Sequence, residues 1–467
     1  MERKPLPIGI EDFKEVIDSG YYFVDKTLMI KDLIVNKVKV GLFTRPRRFG
    51  KTLNMSMIQR FFEKTDESNA YLFDRLKISE YPECMQYQGQ SPVISISLKS
   101  MKQGSYKDAF HMFKVLIARE YDRHKVILKS GKISDSERDL FHSILTQRAE
   151  DAFYLDSIKF LSDIMVKYYN KNVIILIDEY DVPLENAFHQ GFYTDMVNLI
   201  RSVFESALKT NPSLDRAFLT GCLRVSKESI FTGLNNLQIF SIMSTKFDDS
   251  FGFTQEEINV MLECYDLTDK SSDIAHWYDG YKFNDVDIYN PWSVLNYLSE
   301  AAEKSSALCK PYWSNEIVKR LIEESNDRTK NAIEELINGT PVRAQIYEDI
   351  TYGTIDVNSE YIWSFLLFTG YLKVTAYETI GDETYYEMVI PNTEVKSIYK
   401  NTIRAWFEKK INADSRTDII ESIIYGEPEK LEKQLRHWLL TTISYHDEQE
   451  SYYHGFVTGL VSGFADY

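Results

Sequence analysis

Two short stretches carry residue types that could handle a phosphate chain: Arg45–Thr52, RPRRFGKT, and Asn172–Asp181, NVIILIDEYD. The first ends in the Gly-Lys-Thr of the GxxxxGK[ST] pattern. A loop from Arg45 through Pro46, Arg47, Arg48, Phe49 and Gly50 to Lys51, Thr52 and Leu53 would wrap phosphates with backbone N–H groups and a helix N-terminus. Lys51 would set its ammonium on the β and γ phosphates, and Thr52 would give its hydroxyl to Mg²⁺. Arg45 stands where the pattern has its first glycine. Arg45 and Pro46 stiffen the loop, and Arg45, Arg47 and Arg48 are expected to place extra cations beside the phosphates.

The second stretch is an apolar run ending in Asp178-Glu179. Asp178 could hold Mg²⁺ through water, and Glu179 is placed to orient and deprotonate an attacking water. A further run, Arg216–Thr220, leads into GCLRVSKESIF. Thr220 and Arg224 are candidates to sense a γ-phosphate. Each motif has a plainer reading, a basic turn containing GKT or a strand end capped by solvated carboxylates. On base choice, no NKxD occurs; Ser244–Asp248, STKFD, holds only a looser TKxD. An Asp-Glu pair without a DxxG switch favours ATP, and GTP stays open.

Such motifs need strands to carry them. Five runs read as strands: Val38–Thr44, Pro92–Leu98, Asn172–Ile177, Arg216–Thr220 and Leu237–Ile242. The third is apolar throughout, as a strand buried on both faces should be. Helical spacing follows the first strand at Leu53, Met57, Ile58 and Phe61, and recurs at Phe110, Phe113, Leu116 and Ile117. The expected fold is an α/β P-loop NTPase with a mostly parallel sheet, and ligands in such sheets sit at the carboxyl ends of the strands. From about Thr254 the texture turns short, helical and polar. Trp363–Gly370 then reads as a helix, followed by alternating runs Tyr371–Glu378 and Tyr385–Ile390 around a Gly381-Asp382 turn. That is a winged-helix-like pattern, though an ordinary α+β lid is the favoured reading. After Asn392 the chain reads as helical.

The 467 residues imply several units, and 44% hydrophobic with 14% aromatic residues is globular composition. The net charge of −16 disfavours nucleic acid as a partner unless basic residues gather on one face. Cys84, Cys222, Cys264 and Cys309 make no CxxC pair, which fits a reducing cytosol. MERKPLPIGIEDF lacks a signal-peptide core, and no run approaches the ~18 apolar residues of a membrane span. A cytoplasmic protein with no membrane partner is expected.

LPIGIEDF, YYFVDKT, LFTRPRRFGKTLNMSM, IDEYDVPL, TGCLRVSKESIFTGLNN, WYDGYKFN, YNPWSVLNYL, PYWSN and IPNTEV together resemble the bacterial AAA-ATPase-like family. Many members continue into a PD-(D/E)XK nuclease-like domain. The resemblance implies that Lys51 and Thr52 belong to the nucleotide loop, that Arg45 is a family trait, that Asp178 and Glu179 form the acidic strand end, and that a lid-like region follows the core. The implied division is a P-loop domain over 1–253, a helical and winged-helix-like lid over 254–410, and the helical start of a truncated nuclease-like domain over 411–467. In that last part Glu450 could match a nuclease helix carboxylate and His454 is expected to be structural. No ExK strand follows, so nucleic-acid cleavage by that mechanism is not expected of this chain.

Three functions stay open at this point. The first is an ATP-binding protein with Mg-dependent hydrolysis that drives a switch. The second is a nucleotide-binding scaffold or sensor without turnover. The third is the ATPase part of an ATP-coupled nuclease. ATP and Mg²⁺ are the expected cofactors, and a homo-oligomer is an open partner.

Overall fold

The structure, a computed structural model, describes residues 3–224, 230–231, 234–304, 307–312, 327–352, 360–410, 421–422 and 424–433. The nuclease-like start expected over 411–467, with Glu450 and His454, lies almost wholly outside them. The chain divides into two compact units, residues 1–312 with 343–394, and residues 313–342 with 395–467. Nearly all described residues belong to the first unit.

At the centre of that unit is a five-stranded sheet of β1 (Val40–Thr44), β2 (Val93–Ser97), β3 (Val173–Asp178), β4 (Leu214–Gly221) and β5 (Leu237–Phe240), ordered β2-β3-β4-β1-β5. Every pairing is parallel. All five strands expected from sequence form, with ends shifted by a residue or two. β1 and β3 are buried at every position. They can be so apolar because helices cover both faces of a parallel sheet.

The order has one direct consequence. β4 lies between β1, which feeds the phosphate loop, and β3, which ends at Asp178. Phe43 of β1 pairs with Thr220, while Ile177 of β3 pairs with Leu219. Thr220 therefore stands between the two motifs, at the same level of the sheet.

Helix Lys51–Phe62 follows the loop and buries Met55, Met57, Ile58, Phe61 and Phe62, while Leu53 is half-buried. Helix Tyr106–Arg123 opens on Ser105, whose hydroxyl accepts from Asp108 N–H, and buries Phe113 and Ile117. Glu120 of that helix accepts the Ser95 N–H at 2.8 Å. β2 is an edge strand, and Glu120 satisfies a donor that would otherwise stay bare there.

Beyond the sheet, Gln255–Tyr265 begins with a reciprocal Thr254/Glu257 capping box, and Pro291–Glu303 is capped by the buried Asn290. Between these helices the sequence suggests only more helix. The chain instead makes a small hairpin, β6 (Tyr281–Phe283) and β7 (Val286–Ile288), turning at Asn284 with φ 50°. Three-residue strands are too short for alternation to reveal. The expected helix and hairpin near 363–390 form as Tyr361–Phe368, β9 (Lys373–Ile380) and β10 (Glu383–Val389), with β8 (Val342–Gln345) as a third strand. No helix among the described residues is long and apolar enough to cross a membrane.

Gly252 locks the loop to this region. Its φ is +81°, its N–H donates to Phe49 O at 3.2 Å, and an added Cβ would lie 2.3 Å from Ile288 Cγ2 and 3.0 Å from Phe49 Cδ1. Gly252→Ala is expected to destabilise the protein by about 1–3 kcal/mol through strain and overpacking. The check is a lower urea midpoint at unchanged slope.

Candidate nucleotide-binding site

The Lys-Thr corner and the Asp-Glu strand tip meet. Thr52 Oγ1 donates to Asp178 Oδ2 at 2.9 Å, and Thr220 Oγ1 donates to Asp178 Oδ1. The same Thr220 oxygen accepts the Glu179 N–H at 3.2 Å, and Thr220 O accepts the Tyr180 N–H at 3.0 Å. Asp178 is buried, and its carboxyl is raised by that burial and by Glu179, against the pull of Thr220, Thr52 and Lys51. Glu179 has φ 55°, a left-handed conformation that is sparsely populated by residues with a side chain. Strain of this kind gathers at functional sites because the surroundings must hold it in place. Thr220, expected as a γ-phosphate sensor, has both its hydrogen and an acceptor site engaged in holding the Asp178–Glu179 corner.

Lys51 is 3% exposed, and its Nζ donates to Arg45 O at 3.2 Å and Pro46 O at 3.1 Å. Cys222 Sγ and Glu179 Oε1 each lie 3.6 Å away. Burial alone would lower the ammonium. The acidic groups around it, the Glu179 and Asp178 carboxylates among them, outweigh burial and hold it charged. The helix behind it, Lys51–Phe62, has Gly50 as its N-cap at φ 80°, so the cap residue offers its first N–H groups no side-chain acceptor. An uncapped helix start beside a buried ammonium is an anion-binding arrangement.

In this structure each of the three arginines is engaged with protein groups. Arg45 is fully buried; its guanidinium donates to Thr44 O at 2.9 Å, Phe240 O at 2.7 Å and Phe247 O at 2.7 Å, and it faces the rings of Phe251 and Phe283. A buried cation needs such acceptors, and the carbonyls around β1 and β5 supply them. Arg47 grips both oxygens of Glu185 at 2.5 Å, a carboxylate that raises its guanidinium against the effect of burial. Arg48, at φ 70°, donates to Tyr312 O at 2.9 Å and lies 4.7 Å from the Trp292 ring. Phe49 is buried against Tyr281 and Phe283. Arg224 pairs with Asp349 at 3.1 Å and Glu348 at 3.6 Å. In STKFD, Phe247 O serves Arg45 and Lys246 Nζ donates to Asn36 Oδ1 at 3.0 Å.

Two residues absent from the sequence-level candidates belong here. Asp181 is 1% exposed; its Oδ2 accepts from Cys222 N at 2.7 Å and Leu223 N at 3.1 Å, while its Oδ1 is buried without a hydrogen-bond partner among the described residues. Burial, then Glu179, pushes its carboxyl up to about 7. Cys222 is buried, and its thiol is pushed up to about 12 by burial. Asp181 lies three residues beyond Asp178 and Cys222 two beyond Thr220, so the signal was proximity to known motifs.

The donor set suits Mg²⁺. Among the described residues no three His, Cys, Asp or Glu side chains converge as a metal cage. One hydroxyl and one carboxylate are what Mg²⁺ takes from a protein when phosphates and water fill its remaining positions. Thr52 and Asp178 would hold it.

Parallel five-stranded sheet, uncapped helix, Lys-Thr corner and acidic strand tip define an α/β protein of the P-loop NTPase fold. Residues 7–231 match the family model described as "Predicted AAA-ATPase". An uncharacterised protein of the vnfD 5′ region of Azotobacter chroococcum mcd 1 is 26% identical over 403 residues, which is 85% of this chain and 69% of the relative.

Two measurements bear on this geometry. Arg45→Met leaves three carbonyls without a donor and is expected to lower stability by about 2–4 kcal/mol in urea unfolding. Asp181 has a folded value near 7 against an ordinary 3.8. The folded state therefore keeps a proton that the unfolded chain has lost, and stability falls as pH rises through that window. Asp181→Asn keeps an accepting oxygen for Cys222 and Leu223 but cannot ionise. Its melting temperature relative to the parent is expected to climb from pH 5 to pH 8, by the equivalent of up to a few kcal/mol. A difference flat in pH would show that Asp181 ionises normally.

Proposed function

We propose that this protein binds MgATP at Lys51, Thr52 and Asp178, hydrolyses it with Glu179 as the base, and uses the cycle as a switch read by the region after the phosphate loop. The observation carrying the reading is the Thr52–Asp178–Thr220–Glu179 hydrogen-bond chain, which sets a metal-holding pair and a strained glutamate side by side. Thr52 and Asp178 would hold Mg²⁺, and the ion when bound would supply positive charge against the phosphates. Phosphate oxygens take over Lys51 from the Arg45 and Pro46 carbonyls. Glu179, released from its 3.6 Å contact with Lys51, turns to the attacking water.

The switch has a physical basis in the loop's own side chains. An added Cβ on Gly370 would lie 3.1 Å from Pro46 Cβ, so backbone and proline already touch. Phe49 reaches Tyr281 and Phe283, and Arg48 reaches Trp292 and Tyr312. A loop that changes shape on taking phosphate pulls on all of them. The close Lys51–Glu179 contact also favours a second reading, a nucleotide sensor without turnover, in which Glu179 stays paired.

Phosphate release with Mg²⁺ separates the two, assayed across protein concentration in case a neighbouring subunit must complete the site. Glu179→Gln is expected to lower kcat about 10²-fold or more with nucleotide affinity retained. Lys51→Ala is expected to weaken ATP binding at least about tenfold. Binding without release in the parent protein supports the sensor; absence of binding rejects both.

A further inference from the structure

Arg224 follows by two residues the Cys222 that faces Lys51, and its partners come from far along the chain. The backbone before it is fixed, since Asp181 holds the Cys222 and Leu223 N–H groups and Tyr180 Oη donates to Leu223 O at 2.5 Å. Cys222 Sγ is 3.6 Å from Lys51 Nζ. Cys222 thus brings the stretch of chain that carries Arg224, two residues further on, to the Lys51 ammonium. In this structure the guanidinium is turned instead to Asp349 and Glu348.

The segment bearing those acids is firmly seated. Tyr347 N–H donates to Ser364 Oγ at 2.9 Å and its ring meets Tyr361 edge-on at 5.0 Å. Ile350, Thr351 and Tyr352 are buried, and Tyr352 Oη lies 3.5 Å from the Glu185 carboxylate that Arg47 grips. Glu348 and Asp349 are 43% and 44% exposed, so they contribute little to the core. Their position against Arg224 is what the seating preserves.

We infer that Glu348 and Asp349 form an acidic latch that parks Arg224, and that the terminal phosphate of a nucleoside triphosphate competes with them for it. This rests on the MgATP reading of the site and adds its regulation. The carboxylates stand in for phosphate oxygens, so the guanidinium is never left bare in either state. A diphosphate does not reach the arginine and leaves the latch closed. Latch opening then reports which nucleotide is bound, and it acts on the 343–352 segment rather than on the loop.

The test is the affinity for MgATP and MgADP of the full chain, its E348Q/D349N and R224A variants, and the triple variant. Partly exposed ion pairs are weak, so E348Q/D349N is expected to bind ATP about five- to tenfold more tightly, with ADP unchanged. R224A should bind ATP no better than ADP, and the triple variant should match R224A. An equal gain for ATP and ADP, or a gain that survives in the R224A background, would overturn the latch, because it would reflect only the loss of nearby negative charge. Unchanged ATP affinity in E348Q/D349N would overturn it as well. Binding of neither nucleotide by the parent chain strikes instead at the MgATP reading beneath it. D349N alone, at the shorter contact, serves the same comparison should the double variant unfold.

Discussion

One hydroxyl joins the two halves of the site. Thr220 Oγ1 donates to Asp178 and accepts from the Glu179 N–H, and it can do so because β4 is inserted between β1 and β3. Without that strand between them the loop and the acidic tip would be direct neighbours, and nothing would pin the left-handed Glu179. The chain of donors also fixes the Asp178 carboxylate from both sides, one oxygen to Thr220 and the other to Thr52. A carboxylate held this way has little freedom to reorient, which is the preorganisation a metal-holding group needs.

The second constraint is the buried Arg45. The usual pattern has glycine there so that the backbone can come close to phosphate. In this chain the side chain leaves the loop altogether and runs beneath it, tying carbonyls of Thr44, Phe240 and Phe247 together. The charge is matched inside the protein by those carbonyls. Burial of an unmatched guanidinium would be strongly unfavourable, and the three carbonyls make this placement specific to the ends of β1 and β5.

The loop is also an interface within its own unit. Pro46, Arg48 and Phe49 each touch a different part of the 280–370 region. Packed interfaces of this kind shift between discrete arrangements rather than deforming smoothly. The same side chains that make the motif look irregular are those that link it to its surroundings.

Much of this was legible in the residues alone. The five sheet strands, the helix after the loop, the acidic tip and the Tyr361–Phe368 helix with its hairpin all rest on local periodicity or short motifs, which depend on neighbours a few positions apart. Lys51, Thr52, Asp178 and Glu179 could be singled out because their chemistry requires those types at those spacings. The fate of the arginines could not, because a cation's position is set by whichever carbonyls or carboxylates lie near it in space. Arg48 finds Tyr312 and Arg224 finds Asp349, partners more than a hundred residues away. The same holds for Thr220 and Asp181, whose roles follow from strand order, and for β6 and β7, too short to show a period. Residue types and local spacing thus determined which chemistry the protein can attempt. Tertiary structure alone decided which charges face the phosphate site and which are consumed in building it, because electrostatic pairing acts through space and takes no account of sequence separation.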